Sequence, residues 1–117
     1  MKTSDHFMLL FRLQPNFDYR PSKEELIQQR QKWGEFFGNI AIQEKLVSTY
    51  RLGFEGTTIA DDLSESGGVH LAENQMLSGN LVVKANSLEE AVTLAKNCPI
   101  LEMNGTVEVR SIIPMES

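Results

Sequence analysis

The sequence has few of the residues that carry most catalytic and metal chemistry. Its 117 residues contain one cysteine, Cys98, so no disulfide can form within the chain. A single cysteine is typical of a protein from a reducing compartment. The apolar run 7–11 is too short for a signal peptide or a membrane span. We therefore expect a cytoplasmic protein with no membrane association.

Charge and motifs exclude several further classes. The net charge is −5, and the lysines and arginines are scattered rather than gathered into a basic stripe, which disfavours nucleic-acid binding. The sequence contains no nucleotide-binding glycine fingerprint, phosphate loop, zinc pattern or Ser/His/Asp order. The acidic turn at Asp61, Asp62 and Glu65 lacks the remaining ligand spacing of a calcium loop. We expect neither a metal nor a cofactor.

The apolar patterns instead predict one α+β domain over residues 1–117. Strands are expected at 6–14, 46–60, 78–85 and 104–114, and helices at 22–46 and 86–97. Each helix begins with an S-x-x-E capping box, Ser22 with Glu25 and Ser87 with Glu90. Gly34 and Gly38 within the first helix predict close packing of that helix on the sheet, with a ligand-approach site as the alternative.

The element order is strand, helix, strand, and then the same again. Right-handed crossovers interleave two such units into one antiparallel sheet with both helices on one face. This is the ferredoxin-like arrangement, and an extra hairpin is expected near 55–73. Cys98 lies on the apolar stripe of the second helix and precedes Pro99, so it is interpreted as a small buried residue at the end of that helix.

The face of the sheet without helices is expected to be mixed in character. Residue alternation assigns Val107, Val109 and Ile113 to the helix side, together with the apolar sets of the other strands. The open face then combines apolar Met8, Leu10, Val82 and Ile112 with polar Arg12, Asn80, Glu108 and Arg110. A homodimer packed sheet on sheet, enclosing a polar-lined cavity, would account for this mixture.

The four polar residues are candidate ligand contacts. Guanidinium groups bind carboxylates and phosphates through paired hydrogen bonds, so Arg12 and Arg110 suit a small anionic ligand. The alternative is an Arg–Glu pair between neighbouring strands or across the dimer. Two aromatic residues, Trp33 and Tyr50, are expected either to line a pocket or to pack in the core.

The stretch "MLSGNLVVKANSLEEAVTLAKNCPILEMNGTVEVRSI" resembles the YCII-related family, specifically its DGPF-type branch. "FMLLFR" and "GNIAIQEKLVSTYRL" are similar to the family's first strand and its passage from helix 1 to strand 2. The resemblance implies a dimeric α+β barrel. It implies little chemistry, although some relatives are linked to dehalogenation of hydroxylated aromatics. DGPF-type genes often neighbour those of sigma factors, which implies a regulatory accessory.

The sequence departs from that family pattern twice. "GGVH" (67–70) stands where Asp-Gly-Pro-Phe is expected, and Gly68 alone is kept. Trp33 stands where the YciI-like branch has a helix histidine thought to act as a base, and indole cannot exchange a proton at neutral pH. His6 is expected in a frayed N-terminus, which leaves His70 as the weak candidate for an acid–base group.

Three functions remain open from the sequence. One is a non-enzymatic homodimer that binds a small anionic or aromatic molecule, as a regulatory accessory. The second is an enzyme of small-molecule metabolism with His70 as its acid–base group and an arginine stabilising negative charge. The third is a purely structural dimer.

Overall fold

The computed structural model describes residues 5–15 and 20–115, and its elements follow the predicted order. The strands are β1 (Asp5–Leu13), β2 (Leu46–Arg51), β3 (Thr57–Ile59), β4 (Glu65–Gly67), β5 (Met76–Ala85) and β6 (Thr106–Ser111). The helices are α1 (Lys23–Ile42) and α2 (Leu88–Ala95), and a short 3₁₀ helix spans Pro99–Met103.

Four strands form one antiparallel sheet in the order β2-β5-β1-β6. β1 lies in the middle, where Leu9 is opposite Leu81 of β5 on one side and Val109 of β6 on the other. With two helices on one face, this strand order confirms the ferredoxin-like α+β fold. β3 and β4 form a separate two-stranded ribbon, which is the extra hairpin expected near 55–73. The four-stranded sheet of one chain is open and is not a closed barrel.

The core lies between the sheet and the two helices. The alternating residues of the central strands are buried on this side, as predicted, and they meet Phe36 and Ile40 of α1 and the apolar stripe of α2. The buried strand residues are Phe7, Leu9, Phe11, Leu81, Val83 and Ala85. Ile113 was expected on the same side, but β6 ends at Ser111 and Ile113 is 83% exposed.

Both helices begin at the predicted serines. Ser22 accepts a hydrogen bond from the Glu25 amide at 3.1 Å, and the Glu25 carboxylate accepts one from the Ser22 amide, so this capping box is complete. Ser87 likewise accepts from the Glu90 amide. The Glu90 carboxylate, however, faces Lys45, whose ammonium lies 3.1 Å away and whose hydrogen bond holds the pKa of Glu90 below its ordinary value. This contact ties the end of α1 to the start of α2.

α1 ends at Ile42, four residues earlier than predicted. Glu44 adopts the left-handed conformation, with φ of 59°. Its amide bonds to the Ala41 carbonyl at 2.9 Å, and the Lys45 amide bonds to the Ile40 carbonyl at 3.2 Å. This pair of bonds closes a helix C-terminus in the manner usually formed around glycine. The sequence did not reveal this end of α1, because glutamate, unlike glycine, does not indicate a helix C-terminus.

The glycines of α1 do not mark close packing, so that prediction was wrong. A Cβ atom added at Gly34 or Gly38 would have no neighbour within 4 Å. Close approach occurs at two other glycines. A Cβ at Gly79 would lie 2.7 Å from a carbonyl oxygen of β2, and one at Gly105 would lie 2.5 Å from the Ile100 side chain.

We expect Gly34→Ala to stabilise the protein by about 0.5–1 kcal/mol, because alanine favours the helix interior and the space around this position is empty. The measurement is the free energy of unfolding in urea. Gly105→Ala is the matched control and should destabilise, since its methyl group would collide with Ile100 and with the Arg12 carbonyl. A lower unfolding free energy for Gly34→Ala would contradict the assignment.

Candidate functional site

The side of the four-stranded sheet opposite the helices is called here the open face. Strand register arranges its residues in rows that cross the sheet. One row is Tyr50, Asn80, Leu10 and Glu108, and the next is Ser48, Val82, Met8 and Arg110. Further along, His6 is opposite Lys84, and the Ile112 amide donates to the His6 carbonyl at 3.0 Å. Seven of the eight residues expected on this face from alternation lie on its strands, and the eighth, Ile112, follows the end of β6.

The apolar residues of the open face are half-buried in the single chain. Met8, Leu10 and Val82 occupy adjoining places in the middle of the sheet, and Ile112 lies at its end. Tyr50, on the edge strand β2, is 65% exposed. These residues give the open face an apolar centre with an aromatic ring at one side.

Arg12, Glu108 and Arg110 form one charged cluster beside that centre. Arg12 Nη1 donates to Glu108 Oε1 at 2.7 Å, and Arg110 Nε lies 3.8 Å from Glu108 Oε2. The structural pairing considered as an alternative is therefore present for Arg12. Arg110 is held more loosely, and its side chain is 67% exposed. Two guanidinium groups share one carboxylate, so the cluster carries an excess positive charge.

Asn80 lies on the same face but not in the charged cluster, because Leu10 separates it from Glu108. Its side-chain oxygen Oδ1 is buried and has no hydrogen-bond partner among the described residues. A buried acceptor without a donor costs free energy comparable to a lost hydrogen bond.

The two histidines are placed differently from expectation. His70 is exposed and lies between β4 and β5, outside the four-stranded sheet. His6 lies inside β1 and on the open face, so the expectation of a frayed end was wrong at this residue. At this end of β1, His6 pairs with Lys84 of β5, and its carbonyl accepts a hydrogen bond from the Ile112 amide. The strand predicted at 6–14 already included His6, and continuing the alternation of Leu10 and Met8 back by two residues puts His6 on the open face.

Trp33 belongs to an aromatic cluster. Its ring packs edge-on against Phe11 with centroids 5.4 Å apart, and against Phe36 and Phe37 of its own helix. It also lines a surface groove of about 180 Å³ between α1 and the 3₁₀ helix, bordered by Lys32 and Glu102. Its packing is that of a core aromatic on the helix side of the sheet.

The described residues show no metal-binding constellation. Among residues 5–15 and 20–115, no three histidine, cysteine, aspartate or glutamate side chains lie close enough to hold an ion. In the acidic turn, Asp62 Oδ1 accepts a hydrogen bond from the Ser64 amide at 2.9 Å, and its hydrogen bonds to Ser64 lower the pKa of Asp62. The Asp62 carboxylate therefore stabilises the turn.

The fold and the open face define a ferredoxin-like α+β domain with one uncovered sheet surface. The family model of the YCII-related domain matches residues 19–116, so the chain belongs to the YCII-related family. Assignment to the DGPF-type branch stays a prediction. No curated protein sequence matches the chain. In the part of the chain that the structure describes, no helix is both long enough and apolar enough to cross a bilayer.

Cys98 is buried in the core, 2% exposed, at the junction between α2 and the 3₁₀ helix. Burial raises the pKa of its thiol to about 11. The thiolate is the reactive form of cysteine, so this environment suppresses nucleophilic chemistry. The structure agrees with the interpretation of Cys98 as a small apolar residue under a helix end.

We expect alkylation of Cys98 by iodoacetamide at pH 8 to be about 100-fold slower in the native protein than in the urea-unfolded chain, because the raised pKa lowers the thiolate fraction and burial blocks access. Mass spectrometry of time points gives both rates. Comparable rates in the two states would show that the thiol is exposed and reactive.

Proposed function

We propose that the chain is a cytoplasmic, homodimeric binding domain that acts as a regulatory accessory rather than as a catalyst. Its ligand is a small anionic aromatic molecule held on the open face, between the sheets of two copies. The Arg12–Glu108–Arg110 cluster, with its excess positive charge next to a half-buried apolar centre, carries this proposal. His70 has no role in it, since it is exposed outside the sheet.

The anionic group of the ligand is assigned to Arg110. Its guanidinium is exposed and is 3.8 Å from its neighbouring carboxylate, so it retains donors for a bidentate bond to a carboxylate. Arg12 is already engaged by Glu108 at 2.7 Å, and it holds that carboxylate away from the ligand.

The aromatic body and a polar substituent are assigned to the centre of the face. Arg110 and Asn80 are two strands apart and two residues apart along the strands, which corresponds to roughly 12 Å between their Cα atoms. The Arg110 and Asn80 side chains fill part of this distance, and the space left between them fits one substituted benzene ring. Rotation of the Asn80 side chain would then bring its unsatisfied Oδ1 to a ring hydroxyl, with Leu10 and Met8 beneath the ring.

The second copy is needed because one sheet leaves the ligand open to water. Half-buried apolar residues surrounded by charge are typical of an interaction surface. A two-fold axis through the open face would cover the apolar centre and enclose the site in a dimeric α+β barrel. Exclusion of water also strengthens the Arg110–carboxylate interaction.

Titration calorimetry with benzoate, 4-hydroxybenzoate and cyclohexanecarboxylate tests the ligand assignment. We expect 4-hydroxybenzoate to bind most tightly, and Arg110→Gln to weaken all three by at least about tenfold through loss of a charged hydrogen bond. Asn80→Leu should remove the preference for the hydroxylated compound. Arg30→Gln on α1 is the matched control and should have no effect. Absence of binding, or equal binding to Arg110→Gln, would refute the assignment.

Sedimentation equilibrium tests the dimer. At micromolar concentration we expect twice the chain mass of 13.2 kDa. Val82→Asp, which puts a charge in the apolar centre of the open face, should give monomers, because an unpaired charge would be buried in the interface. Ile42→Asp, at an 84% exposed position on α1, is the control and should stay dimeric. A native protein that sediments as a strict monomer would overturn the proposal.

A further inference from the structure

Residues 52–68 form a segment, called here the arm, that leaves the four-stranded sheet after Leu52, whose amide donates to the Ser78 carbonyl at 2.9 Å. Every residue from 49 to 68 is exposed. β3 and β4 pair with each other and, among the described residues, with no other strand. The Cα radius of gyration is 16.1 Å, whereas roughly 13 Å is expected for a compact domain of this length. The arm therefore does not cover its own sheet.

An isolated two-stranded ribbon is marginally stable in water at best. The arm has strands of three residues each and still carries large apolar side chains in solvent. Leu52 is 40% exposed, Ile59 65% and Leu63 79%. This combination indicates a segment whose apolar surface is covered in an assembly.

The tip of the arm holds Leu63 in a costly conformation. Its φ is 73°, in the left-handed region where a bulky side chain is unfavourable and glycine is preferred. The turn around it is well bonded, with the Ala60 amide donating to the Ser64 carbonyl at 2.8 Å and the Leu63 amide donating to the Ala60 carbonyl at 2.9 Å. A well-formed turn thus presents an exposed leucine at a position where glycine would have a lower conformational free energy.

Charge is distributed oppositely on the arm and on the open face. The arm carries the acidic residues Glu55, Asp61, Asp62 and Glu65 and has no lysine or arginine. The open face carries Arg12, Lys84 and Arg110 against the single Glu108. Each surface combines exposed apolar groups with an excess of one sign of charge, negative on the arm and positive on the open face, so the two are complementary.

The arm is long enough to reach across a facing sheet. It continues from β2, an edge strand of the four-stranded sheet, and the ten residue-to-residue steps from Gly53 to Leu63 can span up to about 33 Å at strand spacing. That length exceeds the roughly 19 Å width of four strands. The open face alone offers roughly 500 Å² as a flat rectangle, before side-chain relief is counted, and a stable interface buries about 800 Å² per partner. The arm supplies additional area.

We propose that the arm of each copy lies on the open face of a second copy, where it closes the rim of the ligand cavity. Ile59 and Leu63 extend the apolar centre of the facing sheet, and the acidic residues of the arm meet its excess positive charge. The exchange is reciprocal, so each site is completed by the partner chain. This inference rests on the sheet-on-sheet dimer of the proposed function.

Two arm variants test the inference by sedimentation equilibrium. The Gly68 amide is 2.9 Å from the Gly56 carbonyl, so deletion of residues 57–67 with these glycines joined leaves the main sheet unaltered. The second variant, Leu63→Gly, relieves the strained φ while removing the apolar contact. We expect the dimer dissociation constant to rise at least about tenfold in both, with the circular dichroism of the core retained. Ile42→Glu is the control for surface change and should have no effect.

Cross-linking locates the arm. Chains with Ile59→Cys are mixed with chains bearing Lys84→Cys and oxidised; Cys98 is buried and takes no part. We expect a disulfide-linked dimer in this mixture, and none when Gln31→Cys of α1 replaces Lys84→Cys. If native protein is a strict monomer, both proposals fail. If it is a dimer whose dissociation constant is unchanged by both arm variants, or if no cross-link forms, the arm inference alone fails.

Discussion

The whole structure depends on the packing of β1, one of the two strands that hydrogen-bond to neighbours on both sides. Phe7, Leu9 and Phe11 are almost fully buried beneath the helices, and burial of each side chain contributes about 1.5–3 kcal/mol. Because side chains alternate along a strand, the same burial places Met8, Leu10 and Arg12 on the opposite side. A slip of one residue would exchange the two sets and expose the core. The core and the open face are therefore consequences of one constraint.

This constraint explains how much could be predicted from the sequence. The alternation in β1 and β5 and the serine at each helix start identified the topology, because these signals act within a few residues. The early end of α1 was missed, since the left-handed residue there is Glu44 rather than glycine. The prediction of close packing at Gly34 was wrong because a glycine within a helix does not by itself indicate that another element lies near it.

For the candidate site, the sequence predicted which residues share a face of the sheet but not how they are arranged on it. Alternation shows that Arg12, Asn80 and Glu108 share one side of the sheet, but the row in which each residue lies depends on the register between strands. That register puts Glu108 opposite Leu10, within diagonal reach of Arg12, and leaves Asn80 on the far side of Leu10. Hydrogen bonds between specific side chains, such as the one from Arg12 to Glu108, follow from positions that short-range patterns do not determine.

The uneven distribution of charge gives the strongest reason to expect a closed assembly. The net charge of −5 conceals an acidic arm and a face with excess positive charge on the same chain. Two complementary surfaces on one chain could link copies head to tail into an open filament. A two-fold axis instead uses both surfaces of both copies at once and leaves none exposed. Because the arm continues from an edge strand of the sheet whose open face would meet the partner, the two-fold arrangement satisfies both contacts with a single pair of chains.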